Sequence, residues 1–111
     1  MIKIKGILPS LREQNRYILL EVMCGSRLDY HTVKEAVLES CKYYMGAVGF
    51  AEAGPMFIKN RWDDEKQQAV LKVNRKYVDW AKAAFAMITR INAKEATVRS
   101  KTVSGILKKA S

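Results

Sequence analysis

Hydrophobic and polar positions along the chain divide it into stretches of two-residue and of helical period. Between Asn15 and Cys24 (NRYILLEVMC) apolar residues occupy both phases of a two-residue repeat, the pattern of a central strand covered on both sides over part of its length. Gly25 and Ser26 end it. Thr32 with Glu35 three residues on makes a capping box, and Val33, Ala36, Val37, Ser40, Cys41 and Tyr44 then recur at helical spacing as far as Gly46. Gly46 to Pro55 is rich in glycine and alanine and reads as a flexible connection. Met56 to Trp62 alternates in the β manner, Asp63-Asp64-Glu65 forms an acidic turn, and Lys66 to Asn74 returns as the second arm of a β-hairpin. Asn74 caps a second helix from about Arg75 to Ile91, and Glu95 to Val103 alternates as a fourth strand.

The order β-α-β-β-α-β predicts an α+β fold, a ferredoxin-like (RRM-like) sandwich in which a four-stranded antiparallel sheet carries both helices on one face. Residues 1–14, with Gly6, Pro9 and Ser10 among scattered lysines, read as an N-terminal arm. Residues 15–111 read as a single domain ending in the basic tail Ile106-Leu107-Lys108-Lys109.

The second helix carries more apolar surface than one sheet contact needs. Val78, Ala81, Phe85 and Ile88 form one stripe, and Tyr77, Trp80, Ala84, Met87 and Ile91 form another beside it. The second stripe is therefore the candidate docking face for a partner protein.

Composition narrows the partners. The chain has 111 residues with 49% hydrophobic and 28% charged, a globular balance, and its longest apolar run is far too short to span a bilayer. The N-terminus lacks the apolar stretch of a signal peptide, so a cytoplasmic protein with no membrane partner is expected. Net charge is +9, and it is uneven: residues 1–55 hold seven Lys/Arg against six Asp/Glu, residues 56–111 thirteen against five. Such an excess opposes compactness by self-repulsion, so an anionic partner is its natural explanation.

Alternation then sorts the charges by face. Phe57, Lys59 and Arg61 share one side of the second strand, Gln68, Val70, Lys72 and Asn74 of the third, and Thr97, Arg99 and Lys101 of the fourth, with Tyr17 and Glu21 joining from the first. The opposite phase, Met56, Ile58, Ala69, Leu71, Val73, Ala96 and Val98, forms the helix-covered core face. One sheet surface would thus offer five cations and two aromatics to RNA phosphates and bases. The RNA-recognition motif reads bases with an aromatic third-strand consensus, which Gln67-Gln68-Ala69-Val70-Leu71-Lys72-Val73 lacks, so recognition of a folded RNA through its backbone fits better.

Candidates for catalysis are few. His31 is the single histidine and precedes a helix, neither cysteine has a histidine beside it in sequence, and Cys24 and Cys41 form no metal-spaced set. Gly46-Ala47-Val48-Gly49 lacks the Lys-Ser/Thr of a phosphate loop. Consecutive acids at 63–65 suit a turn better than a magnesium site, because they do not converge without other ligands. No metal and no cofactor are expected on the protein.

Leu8-Pro9-Ser10-Leu11-Arg12-Glu13 followed by Asn15-Arg16-Tyr17-Ile18, together with the closing Val98-Arg99-Ser100-Lys101-Thr102-Val103-Ser104-Gly105-Ile106-Leu107-Lys108-Lys109-Ala110, resembles the Pop-five family of ribonuclease P/MRP subunits in its archaeal, component 2 form. The resemblance covers essentially the whole chain. It implies a ferredoxin-like fold in a ribonucleoprotein that removes 5′ leaders from precursor tRNA, with the cleavage and its Mg2+ requirement belonging to the RNA. It also implies as partners the ribonuclease P RNA, whose catalytic domain the chain would support, protein component 3 of the thirty-kilodalton subunit family, other ribonuclease P proteins and, indirectly, precursor tRNA. Homodimer and heterotetramer are both left open. The RNA-binding residues expected on this combined reading are Arg16, Tyr17, Phe57, Lys59, Arg61, Lys72, Arg99, Lys101, Lys108 and Lys109. A ribosomal RNA-binding protein is the alternative of the same size, fold and charge, and a metal-dependent nuclease would instead need activity without RNA.

Overall fold

The computed structural model describes residues 15–105, so the expected arm 1–14 and the tail with Lys108 and Lys109 lie outside the described residues. Strands β1 (Asn15–Cys24), β2 (Met56–Phe57), β3 (Gln68–Asn74), β4 (Arg90–Ile91) and β5 (Lys94–Ser104) alternate with helices α1 (Tyr30–Ala53) and α2 (Val78–Ala86). They form one antiparallel sheet in the order β2-β3-β1-β5-β4. Four of the strands follow the ferredoxin-like order, and β4 adds a fifth at the edge.

Ile18, Leu20 and Val22 from β1, Ala69, Leu71 and Val73 from β3 and Ala96 and Val98 from β5 share one face. They form a single core with Val33, Val37 and Cys41 of α1 and Ala81, Ala84 and Phe85 of α2. In α1 the buried residues fall at intervals of four, so one stripe meets the sheet. Small side chains let the helices approach closely, and the Ser40 hydroxyl donates across the gap to the Ala84 carbonyl at 2.7 Å. Burial pushes the Cys41 thiol up to about 11, which keeps it protonated and chemically inert.

Local chemistry shifts several boundaries. Helix α1 begins at Tyr30, two residues ahead of Thr32, because Asp29 is its N-cap and accepts the Thr32 N–H at 3.1 Å. Hydrogen bonding from the Thr32 side chain, and next from its N–H, holds the Asp29 carboxyl below its ordinary value. The capping box expected at Thr32 and Glu35 is therefore not the start of the helix. Nor is Gly46–Pro55 a flexible connection. Gly46 adopts φ 79 and ψ 169, a conformation few side chains tolerate, and the chain then resumes helix to Ala53 with Phe50 and Ala53 packed on the core. Gly54, left-handed at φ 56, closes the segment through its N–H to the Phe50 carbonyl, and Pro55 prevents continuation.

Strand β2 is only two residues long and has the opposite phase to that expected. Phe57 pairs with Leu71, so it enters the core at 7% exposure, while Met56, opposite Lys72, is 54% exposed. Residues Lys59–Arg61 turn into a 3-10 helix instead of extending the strand. Asp63-Asp64-Glu65 is a turn: the Asp63 carboxylate accepts the N–H groups of Glu65 and Lys66, both at 3.1 Å. Asn74 caps as expected, its side chain accepting from Lys76 N–H at 2.9 Å, although a 3-10 turn over Arg75–Tyr77 precedes α2.

Helix α2 ends at Ala86, five residues before Ile91. The β-branched run Ile88-Thr89, with Ile91, gives way to a hairpin, in which Asn92 and Ala93 occupy positive φ (55 and 64) between Ile91 and Lys94. Ile88 and Ile91, three apart, mimic a helical stripe but bury one from a loop and one from a strand.

Candidate nucleic-acid interface

Directly opposed residues of antiparallel strands project from the same face, so the register defines the sheet surface away from the helices. Tyr17 stands opposite Lys72, Leu19 opposite Val70, and Glu21 opposite both Gln68 and Arg99, while Met23 lies opposite Thr97. The register shifts between Leu19 and Leu20: Leu20 pairs with Ser100 and Leu19 with Thr102, which leaves Lys101 as the extra residue of a bulge. Beyond it the phase inverts, Thr102 and Ser104 joining the open face and Val103 the face of Ile18. Strict alternation of Thr97, Arg99 and Lys101 therefore does not hold through Lys101.

The centre of this surface is an ion pair. Glu21 Oε1 accepts from Arg99 Nη2 at 2.9 Å and Nε at 3.1 Å, and Oε2 accepts from Gln68 Nε2 at 3.5 Å. The Arg99 guanidinium holds the Glu21 carboxyl below its ordinary value, helped by Gln68 and the field of Lys101 and opposed by partial desolvation. A depressed carboxyl stabilises the fold above its unfolded pKa and loses that stabilisation as pH falls through the folded one. Stability should accordingly decline on the acid side of the ordinary glutamate range, and Glu21→Gln should flatten that decline; urea midpoints at pH 7 and pH 3 in the two proteins provide the comparison.

Of the RNA-binding residues expected from sequence, the fold gathers Tyr17, Lys72, Arg99 and Lys101 around Glu21. Phe57 is not among them, being buried against Leu71, so among the described residues this face has one aromatic ring, Tyr17, and base stacking there loses its second platform; Val70 at its centre is 1% exposed. Lys59 and Arg61 lie on the 3-10 turn after β2. Arg16, opposite Val73, has the phase of the helix-covered side and donates from Nη1 to the Asn15 carbonyl at 2.9 Å.

The helix side has a different chemistry. Trp80 and Met87 are both 47% exposed, whereas Ala84 and Ile91, expected beside them, are buried in the core because the α2 stripe turns inward there and Ile91 belongs to β4. Tyr77 is half-buried, its hydroxyl donating to Glu52 Oε1 at 2.5 Å, which ties the segment after the Gly46 kink to α2 and raises the Tyr77 pKa. Alpha-1 supplies what the sequence reading missed: Tyr44, placed on the buried stripe, has its ring 5.5 Å from that of Trp80, and Tyr43 and Val48 are exposed nearby in the chain. Two consecutive tyrosines at the end of an otherwise well-phased stripe are the signal that was available. Among the described residues no group of three or more His, Cys, Asp or Glu side chains is placed to hold a metal ion, and no helix is long and apolar enough to cross a membrane.

The family model of the Rpp14/Pop5 family matches residues 16–111. Ribonuclease P protein component 2 of Thermococcus kodakarensis is 36% identical over 107 residues, 96% of this chain and 88% of the relative. The protein of the same description from Pyrococcus abyssi is 32% identical over 96% of this chain and 89% of its own length. In a cryo-EM structure of yeast ribonuclease MRP, one chain superposes with a TM-score of 0.66 at 14% identity, covering 84% of this chain and 75% of that one, which is a likeness of fold.

Proposed function

From the premise that the chain belongs to the Rpp14/Pop5 family and is a protein subunit of the ribonuclease P/MRP class, we propose that it binds the catalytic domain of the ribonuclease P RNA together with protein component 3 and supports removal of 5′ leaders from precursor tRNA. The observation that carries this reading is the separation of two surfaces: cations on the sheet face away from the helices, and exposed Trp80 against Tyr44, with exposed Met87, on the helix side. The first suits phosphate, the second a protein. Cleavage and the need for Mg2+ belong to the RNA, and the chain acts in the cytoplasm by neutralising phosphates that crowd as that RNA folds. A ribosomal role is not favoured by the relatives, which are described as ribonuclease P components.

Reconstituting the RNA with component 3, with and without this chain, across a magnesium series tests the proposal. The chain should lower the magnesium needed for precursor tRNA cleavage, and an unshifted requirement would contradict the mechanism. Glu21→Gln refines the test. Removing the carboxylate that now occupies Arg99 should tighten RNA binding and steepen its salt dependence by up to about one counterion, while Arg99→Ala in that background should reverse the gain.

A further inference from the structure

We propose that Tyr30, His31 and Trp62, with the ammonium groups of Lys34 and Lys59, form a second RNA-contact site that takes an unpaired nucleobase on its rings and the flanking phosphates on its lysines. This inference rests on the RNA-binding reading above and assigns it a place distinct from the open sheet face.

Tyr30 is the hub. As the first residue of α1 its ring lies 6.2 Å from that of Phe57, nearly edge-on at 79°, and Phe57 is itself anchored in the core. The Trp62 ring is 6.0 Å away at 54° and that of His31 5.8 Å away at 55°. Tyr30 and Trp62 are half-buried and His31 is exposed. Rings packed on one side and wet on the other are already immobilised, so stacking a base on them costs little further order. One helical turn on, Lys34 holds its Nζ 5.8 Å from the Tyr30 centroid, and Lys59 is exposed on the 3-10 turn. That turn, replacing the strand expected at 59–61, leads the chain back so that Trp62 reaches Tyr30.

A hydrophobic plug sealing the sheet edge would account for Phe57, Tyr30 and Trp62, but it has no use for an exposed imidazole or for the Lys34 ammonium near the Tyr30 ring. Three nearby acids are engaged elsewhere: Asp64 pairs with Arg27 at 3.4 Å, Asp63 accepts two backbone N–H groups, and Asp29 caps α1, while Glu35 lines a cavity beside Lys34 without an ion pair to it. Among the described residues neither Lys34 nor Lys59 forms an ion pair. No carboxylate among the described residues holds either charge, and aromatic rings with cations close in the chain are the chemistry that holds single-stranded RNA.

The chain has two tryptophans, Trp62 in this cluster and Trp80 on the helix side. In the full-length Trp80→Phe protein, emission reports Trp62 alone. That protein would be titrated with the ribonuclease P RNA and, separately, with a ten-nucleotide unpaired oligoribonucleotide, with filter binding in parallel. Saturable quenching of Trp62 is expected with both. His31→Ala should weaken the oligoribonucleotide about fivefold, and Lys34→Ala/Lys59→Ala should reduce the log–log salt slope by about 1.4, two contacts on a single strand. Circular dichroism checks that these variants fold. Absence of oligoribonucleotide binding, binding with Trp62 emission unmoved, or unchanged affinity in the His31 and lysine variants would each overturn the site. If ribonuclease P RNA binds tightly without moving Trp62, the site falls and the subunit's RNA-binding role stands. If the oligoribonucleotide quenches Trp62 but ribonuclease P RNA does not bind, the site stands and that role falls.

Discussion

Replacing Trp80 with alanine is expected to weaken the proposed association with protein component 3 by about thirtyfold or more, the effect of losing an interface anchor worth about 2 kcal/mol. Trp80 has the attributes of such an anchor. It is 47% exposed in the isolated chain, its ring is held by Tyr44 at 5.5 Å and Tyr77 at 6.2 Å, and Met87, equally exposed, extends the same apolar side of α2. An aromatic side chain prepositioned in this way loses little freedom on docking. Because half of it already faces water, truncation should cost the isolated chain far less than a core deletion would. Calorimetric titration with component 3 and thermal unfolding of the free chain together separate the two effects. Undiminished affinity in Trp80→Ala would remove the helix side from the interface.

Phe85→Ala should have the largest effect on stability, a loss of about 3–5 kcal/mol. Phe85 is among the largest fully buried side chains and sits where α2 meets the sheet and α1. The lost burial is compounded by a cavity that the surrounding β-branched residues, stiff in their rotamers, cannot close. Domains of this kind have only about 5–15 kcal/mol in total, so the variant should be largely unfolded at modest urea. A fall in urea midpoint with an unchanged slope would match this account; a loss below about 1 kcal/mol would mean that the helices do not seal this core as described.

Much of the architecture was legible in the chain. Strand β1 occupies the stretch read from its apolar run, β5 lies within a residue of the alternation at 95–103, Asn74 caps where its chemistry predicts, and the element order implied the ferredoxin-like sheet. These features depend on local patterns of five or more residues, where propensity and periodicity agree.

The failures share a cause. Thr32 was read as the cap, but Asp29 three residues earlier serves, and where the helix starts depends on where the loop after β1 must go; Gln67 holds that loop through Leu28, accepting its N–H at 2.9 Å and donating to its carbonyl at 3.1 Å. A glycine-rich stretch remained helical because Phe50 and Ala53 found the core. Ile88 and Ile91 satisfied a helical period while belonging to a hairpin.

The sequence by itself determined how much charge the protein carries, in which half it lies, and which side of β3 and of the first part of β5 enters the core. Only the tertiary structure decided the phase of β2, the break in alternation at Lys101 and which charges remain available. Period-two alternation is unchanged by inverting a strand, so the Phe57–Leu71 pairing was needed to turn Phe57 inward. A cation contributes to an RNA surface only if no carboxylate of the same fold holds it first, and Arg99 meets Glu21 across 78 residues of chain, a distance no local pattern spans.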